Sequence, residues 1–152
     1  MTIPPDLVRL IKACEGFHSV VTRRPAVTAV PYQCPAGFWT IGWGVLCQRE
    51  HPPITQEEGD AELIRIIPAY LDHAVRLSPV LSTTSDRKLI AVADFIFNLG
   101  PTRYAASTFR RRVNAQDWSG AAIECRRWCW GGGRRLPGLV VRRDAEARLL
   151  TG

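Results

Sequence analysis

Cys34-Pro35-Ala36-Gly37-Phe38-Trp39-Thr40-Ile41-Gly42-Trp43-Gly44 is a turn followed by a strand-like run, and the fold is read outward from it. Proline suits the second position of a type I or II turn and glycine the fourth, so Cys34 to Gly37 predicts a hairpin. From Phe38 to Val45 the side chains should alternate. Trp39, Ile41, Trp43 and Val45 would then form a core-facing row, with Phe38, Thr40, Gly42 and Gly44 opposite. The second row sets a hydroxyl beside two glycines, where a ligand can approach the backbone closely.

Upstream, Pro4 and Pro5 start a helix, Asp6 suits its first turn, and Leu7, Leu10, Ile11 and Cys14 recur at spacings of three and four. Gly16 supplies the stop. Glu15 falls four residues beyond Ile11 and so sits beside the buried stripe, at the negative end of the helix dipole. Desolvation and that dipole both disfavour an ionised carboxylate, and an acid that keeps its proton near neutrality can serve as a general acid. Cys14 is expected in the core.

Downstream, Thr55 and Glu58 form a capping box for a helix running toward Leu77, with Pro68 as a kink point. A second helix should begin near Ser85 or Asp86, carry Leu89, Val92, Ala93, Ile96 and Phe97, and end at Gly100-Pro101 as the central core helix. Asp117 can cap a third, with Ala121, Ala122, Cys125 and Trp128. Gly131-Gly132-Gly133 breaks the chain before Pro137 opens a last helix through Leu149. Trp128 and Trp130 are read as packing residues rather than sugar platforms.

With 152 residues, 46% hydrophobic and 22% charged, the chain fits one globular domain and neither a disordered nor a membrane protein. It has no apolar run of roughly 18 residues, and its N-terminus lacks a basic-then-apolar secretory layout, so no signal peptide is expected. Its five cysteines are expected to be reduced, and no His or Cys pair lies at zinc-like spacing, so neither metal nor cofactor is expected. Residues 101–152 hold eleven of the twenty basic side chains against four of the fourteen acidic ones. Such a half should be drawn to anionic polymers.

Glu15-Gly16-Phe17, Cys34-Pro35-Ala36-Gly37 and Thr40-Ile41-Gly42-Trp43-Gly44 together resemble the catalytic segment of bacteriophage lysozymes, the endolysins of glycoside hydrolase family 24. That family's pattern is Glu, then Asp or Cys, then Thr after five intervening residues, and the Cys34 to Thr40 interval fits. The resemblance continues through Ile54-Thr55-Gln56-Glu57-Glu58-Gly59, Phe97-Asn98-Leu99-Gly100, Ser107-Thr108-Phe109-Arg110, Arg127-Trp128 and Leu136-Pro137-Gly138-Leu139 to Glu146. The chain departs from the family in two places. The stretch before Cys34 is about ten residues longer than usual, which reads as an extended hairpin or lip over Thr22 to Pro31. Val45 also stands where a histidine is common.

The resemblance implies an α+β, mainly helical, lysozyme-like two-lobe fold with a small β-hairpin lobe and a helical C-terminal lobe joined by a long helix. Residues 1–152 would be a single catalytic domain: the N-terminal helix and β lobe over 1–54, the connecting helix over 55–80 and the helical lobe over 81–152. It further implies hydrolysis of the β-1,4 bond between N-acetylmuramic acid and N-acetylglucosamine in peptidoglycan, causing host lysis. Glu15 would be the acid. Thr40 would hold water or substrate, and Cys34 would orient water, deprotonate it or attack the anomeric carbon. Gly42 and Gly44 would admit substrate, Asn98 would bind an N-acetyl group, and Arg142 or Arg143 would pair with Glu15. The expected partner is peptidoglycan, with anionic envelope polymers at the basic C-terminal half and no nucleic acid. The expected state is a monomer made in the host cytoplasm that acts on the periplasmic wall after release. The competing readings are a lysozyme-like module that binds wall glycan or a phage partner without cleaving it, and cationic membrane disruption by the arginine-rich helices.

Overall fold

The computed structural model describes residues 2–17, 20–23 and 26–152. Helix α1 spans Pro5–Glu15 and ends where Gly16 turns left-handed at φ 66°, its N–H donating to the Lys12 carbonyl at 3.0 Å. Strands β1 (Val20–Arg23) and β2 (Ala26–Ala29) pair antiparallel from Val20 opposite Ala29 to Arg23 opposite Ala26. The extended hairpin expected before Cys34 is therefore present, with Arg24 and Pro25 outside the described residues. Strands β3 (Tyr32–Gln33), β4 (Trp39–Ile41) and β5 (Val45–Leu46) form a second sheet in chain order, and β6 (Ile54–Thr55) pairs with β2.

Helix α2 covers Gln56–Leu77 with Pro68 inside it. The capping box forms as expected, with Thr55 N donating to Glu58 Oε2 at 2.7 Å and Glu58 N donating to Thr55 Oγ1 at 3.2 Å. A 3-10 turn at Pro79–Ser82 precedes α3 (Asp86–Leu99), α4 (Pro101–Ala106), α5 (Thr108–Asn114) and α6 (Trp118–Arg126). A short hairpin of β7 (Trp130–Gly131) and β8 (Arg134–Arg135) leads into α7 (Pro137–Thr151). Among the described residues no helix is long and apolar enough to cross a membrane.

The fold class is the expected one, mainly helical with small sheets. The chain forms two compact units, Val8–Ile67 and Pro68–Gly152 with Met1–Leu7, so α1 and α2 each begin in one unit and finish in the other. In the larger unit α3 is the buried centre, with Leu89 to Ile96 all buried. Phe95 lies at its middle, 4.9 Å from Phe109, 5.6 Å from Trp128 and 5.9 Å from Tyr104 between ring centroids, each edge-on. Trp128 thus packs as expected. Trp130 does not: it is 64% exposed, because β7 carries it away from this cluster.

The sequence reading passed over α4 and α5. Gly100 does end α3 at φ 87°, but Pro101 also starts α4, and Ser107 caps α5 by accepting from Arg110 N at 3.0 Å. Asp117 caps α6 as expected, accepting from Gly120 N at 2.9 Å. The five cysteines are free thiols; Cys125 and Cys129 are buried, whereas Cys14, expected in the core, is only half-buried.

Candidate functional site

Within the smaller unit the expected strand does not run straight to Val45. It stops at Ile41, and Gly42-Trp43-Gly44 reverse the chain, with Thr40 opposite Leu46 and Ile41 opposite Val45. Gly42 at φ 60° and Gly44 at φ 81° make the reversal possible, a backbone region that side-chain-bearing residues rarely enter. The alternating pattern could not show this, since a tryptophan sits at the apex.

That apex is clamped from both flanking helices. Trp43 Nε1 donates to Asp60 Oδ1 of α2 at 2.6 Å, and Lys12 Nζ of α1 reaches the same oxygen at 2.7 Å while standing 5.0 Å above the indole. Phe17 packs against Trp43 at 5.1 Å. Gly42 faces inward, where a Cβ would lie 3.1 Å from Ile54 Cδ1 and 3.4 Å from Phe17 Cε2, so packing within the unit accounts for this glycine. Gly44 faces Glu15. A Cβ there would stand 2.7 Å from Glu15 Oε2 and 2.8 Å from its Cδ. The carboxylate at the end of α1 therefore rests directly on the bare backbone of the turn.

Thr40 is buried at 4% exposure and its Oγ1 donates to the Tyr32 carbonyl at 3.4 Å, across the β3–β4 pair in which the two residues are register partners. Tyr32 is a member of the site that sequence reading missed. Burial pushes its phenol up, a hydrogen bond with the Thr40 side chain pulls it back, and the nearby charges of Glu15, Cys34 and Cys47 add to the rise. The phenol thus keeps its proton at neutral pH, at the point where acid, hydroxyl and thiols converge. Its signal was the Tyr32-Gln33-Cys34 alternation, which carries residue 32 to the pairing position of Thr40.

Cys34 follows β3 directly and is half-buried. Its N–H donates to the Phe38 carbonyl at 2.9 Å, and its own carbonyl accepts from Gly37 N at 2.8 Å, which closes the expected turn. Cys47, also missed, hangs from β4 through its N–H to the Trp39 carbonyl at 3.0 Å, and burial pushes its thiol up. It lines a cavity of ≈ 610 Å³ with Ile41, Val45, Leu46 and Ile54.

The remaining candidates lie in the larger unit. Asn98 is half-buried near the end of α3, and its Oδ1 has no hydrogen-bond partner among the described residues. Arg142, 3% exposed, grips the fully buried Asp94 through Nε and Nη2, both at 2.8 Å. Arg143 donates to Glu146 Oε1 at 2.6 Å and lies over the Phe95 ring at 4.7 Å. Burial opposes ionisation of Asp94, yet the Arg142 guanidinium prevails and holds its carboxyl below the usual range. Burial drives Glu146 the other way, well above, and Cys125 Sγ donates to its Oε2 at 3.1 Å. The sequence signal was a lone carboxylate in the apolar run Ala91-Val92-Ala93-Asp94-Phe95-Ile96.

Comparison with known proteins agrees with this architecture. The phage lysozyme family model matches residues 22–146, a span that begins after Glu15. An endolysin of Acyrthosiphon pisum secondary endosymbiont phage 1 is 33% identical over 138 residues, covering 86% of this chain and 91% of its own length. A SAR-endolysin of Escherichia phage Mu is 35% identical over 146 residues, covering 86% of this chain and 79% of its own. Among solved structures, the muramidase domain of SpmX from Asticaccaulis excentricus is similar with a TM-score of 0.79 at 27% identity, over 99% of this chain and 98% of that one. Fold and kinship define a glycoside hydrolase of the lysozyme type. More narrowly, the chain belongs to the phage lysozyme family and is a muramidase that hydrolyses bacterial peptidoglycan.

Proposed function

We propose that this muramidase cleaves the β-1,4 bond between N-acetylmuramic acid and N-acetylglucosamine with Glu15 as general acid, and that Cys34 and Thr40 supply the second half of the reaction. The observation that carries this reading is the Glu15 carboxylate seated on Gly44, one hairpin away from Thr40. A carboxyl fixed against backbone keeps one orientation, and orientation is most of what a proton donor needs. Glu15 gives its proton to the leaving glycosidic oxygen as the C1–O bond breaks and positive charge develops on the sugar ring.

Thr40 spends its hydroxyl hydrogen on the Tyr32 carbonyl and accepts from the Tyr32 phenol, so one oxygen lone pair remains to accept from a water. Tyr32 holds that hydroxyl through the side-chain bond. If Cys34 and Thr40 place a water that attacks C1 from the face opposite the leaving group, configuration inverts; if the Cys34 sulfur attacks C1 first, it is retained. The free Asn98 Oδ1 suits an N-acetyl N–H. In the same reading the basic C-terminal half meets anionic polymers of the envelope. The enzyme acts as a monomer on the periplasmic wall after release from the host cytoplasm.

Glu15→Gln removes the proton and keeps the shape. It should abolish release of reducing ends from purified peptidoglycan while leaving the fold intact, and wall clearing that survives the change would overturn the glycosidase mechanism. The anomeric configuration of the first product, read by NMR, assigns Cys34 its role.

A further inference from the structure

The β7–β8 hairpin presents a second candidate surface, outside the groups used above. Trp130 and Arg135 are register partners across it, so both side chains rise from the same face of the ribbon; Arg134 opposes Gly131 on the other face. All three side chains are exposed. The ribbon is held in place: Gly132 and Gly133 close it at φ 57° and 76°, and the Leu136 N–H donates to the Cys129 carbonyl at 2.9 Å across its base. Leu136 packs onto Gly131, where its Cδ1 lies 2.6 Å from the place a Cβ would take. Cys129 at the root is buried.

Two features mark this ribbon within the basic half, where Arg103, Arg110 and Arg111 also meet no carboxylate among the described residues. Arg112, Arg126, Arg127 and Arg148 all meet carboxylates, at Asp117, Asp144, Glu124 and Asp144. Arg134 and Arg135 meet none among the described residues. Trp128 fills the space beside Phe95, so the core has no use for Trp130, and a rigid indole stays in water at a hydrophobic cost.

An aromatic plane with a guanidinium on the same face matches a sugar ring with a carboxylate held beside it. The ring's C–H face lies on the indole, and the carboxylate takes the planar fork of the arginine. We infer that the β7–β8 hairpin, through Trp130 and Arg135, is a binding surface for the peptide-bearing glycan strand of peptidoglycan, the indole taking a sugar ring and the guanidinium a carboxylate of the attached peptide. A phosphate polymer would use the arginines and leave the indole idle. This rests on the reading of the chain as a peptidoglycan hydrolase, because that reading supplies the ligand.

The test uses the full chain carrying Glu15→Gln, so that substrate is not consumed, and measures co-sedimentation with purified sacculi. Adding Trp130→Ala or Arg135→Gln should each weaken binding roughly tenfold, with circular dichroism unchanged. Trp130→Phe should retain most of it, and Arg103→Gln, an exposed charge elsewhere on the same unit, should stay within about twofold. Sacculi whose carboxylates have been amidated should bind the parent no better than untreated sacculi bind the Arg135→Gln form. Equal losses for Arg103→Gln and Arg135→Gln would reveal diffuse charge and refute the site. So would full binding by Trp130→Ala, or single-stranded DNA or polyphosphate displacing the chain from sacculi in a Trp130-dependent way. Reducing-end release by the wild type from the same sacculi tests the hydrolase reading separately, since binding in the Glu15→Gln background needs no turnover.

Discussion

Gly44→Ala probes the proposed acid without touching it. At φ 81° any side-chain-bearing residue is strained by about 1–2 kcal/mol. The new methyl would also stand 2.7 Å from Glu15 Oε2. A comfortable non-bonded separation is about 3.5 Å, so the carboxylate must move by roughly 0.8 Å. Displacements near 1 Å cost about 100-fold in rate, equivalent to about 2.7 kcal/mol of lost transition-state stabilisation. The expected result is a kcat on peptidoglycan down by about two orders of magnitude, KM nearly unchanged, and a urea midpoint lowered only by the backbone strain. Gly100→Ala is the matched control: φ is 87° and nothing lies within 4 Å of the added carbon, so it should lose comparable stability and keep its kcat. If Gly44→Ala retains kcat within about threefold of the wild type, the seat on Gly44 does not position the working acid.

Tyr32→Phe removes the phenol hydroxyl that meets Thr40 and keeps the ring; at about 1 kcal/mol for that bond, kcat should fall about fivefold with KM unmoved, and unaltered kinetics would make Tyr32 a filler residue. Asp94→Asn removes the nearest counter-charge of the buried Arg142 guanidinium, so urea denaturation should report a loss of about 3–5 kcal/mol. Glu146 holds its proton above the ordinary glutamate range, so between that range and the raised value the folded state binds one more proton than the unfolded state, and stability falls as pH climbs. Glu146→Gln should flatten that descent in thermal melts between acid and neutral pH, and a slope identical to wild type would refute the assignment.

Much of the helical framework could be read from local signals because those signals are local in cause. Gly16, the Thr55–Glu58 box and Asp117 each act on backbone groups within four residues, and each does what its chemistry prescribes. Pro101 shows where such reading narrows: the same proline that forbids α3 from continuing is well shaped to begin α4, and only the starting role was overlooked. The turn at Gly42-Trp43-Gly44 defeated alternation because Trp43 is buried and bonded to Asp60 at the apex, and a straight alternating strand also expects a core residue at that position. Tyr32 and Trp130 were hidden for a further reason. A residue's neighbours across a sheet are fixed by register, and register is a property of two segments rather than one.

Asp60 has a consequence for motion. One carboxylate oxygen fastens both the indole at the hairpin apex and the ammonium on the turn of α1 just before Glu15. A swing of that loop pulls on the helix end through this oxygen, so the proposed acid and its backrest are tied together. Under the proposed mechanism, an acid tied to its seat in this way meets each new stretch of polymer already aligned, and turnover need not include a separate step to rebuild that alignment.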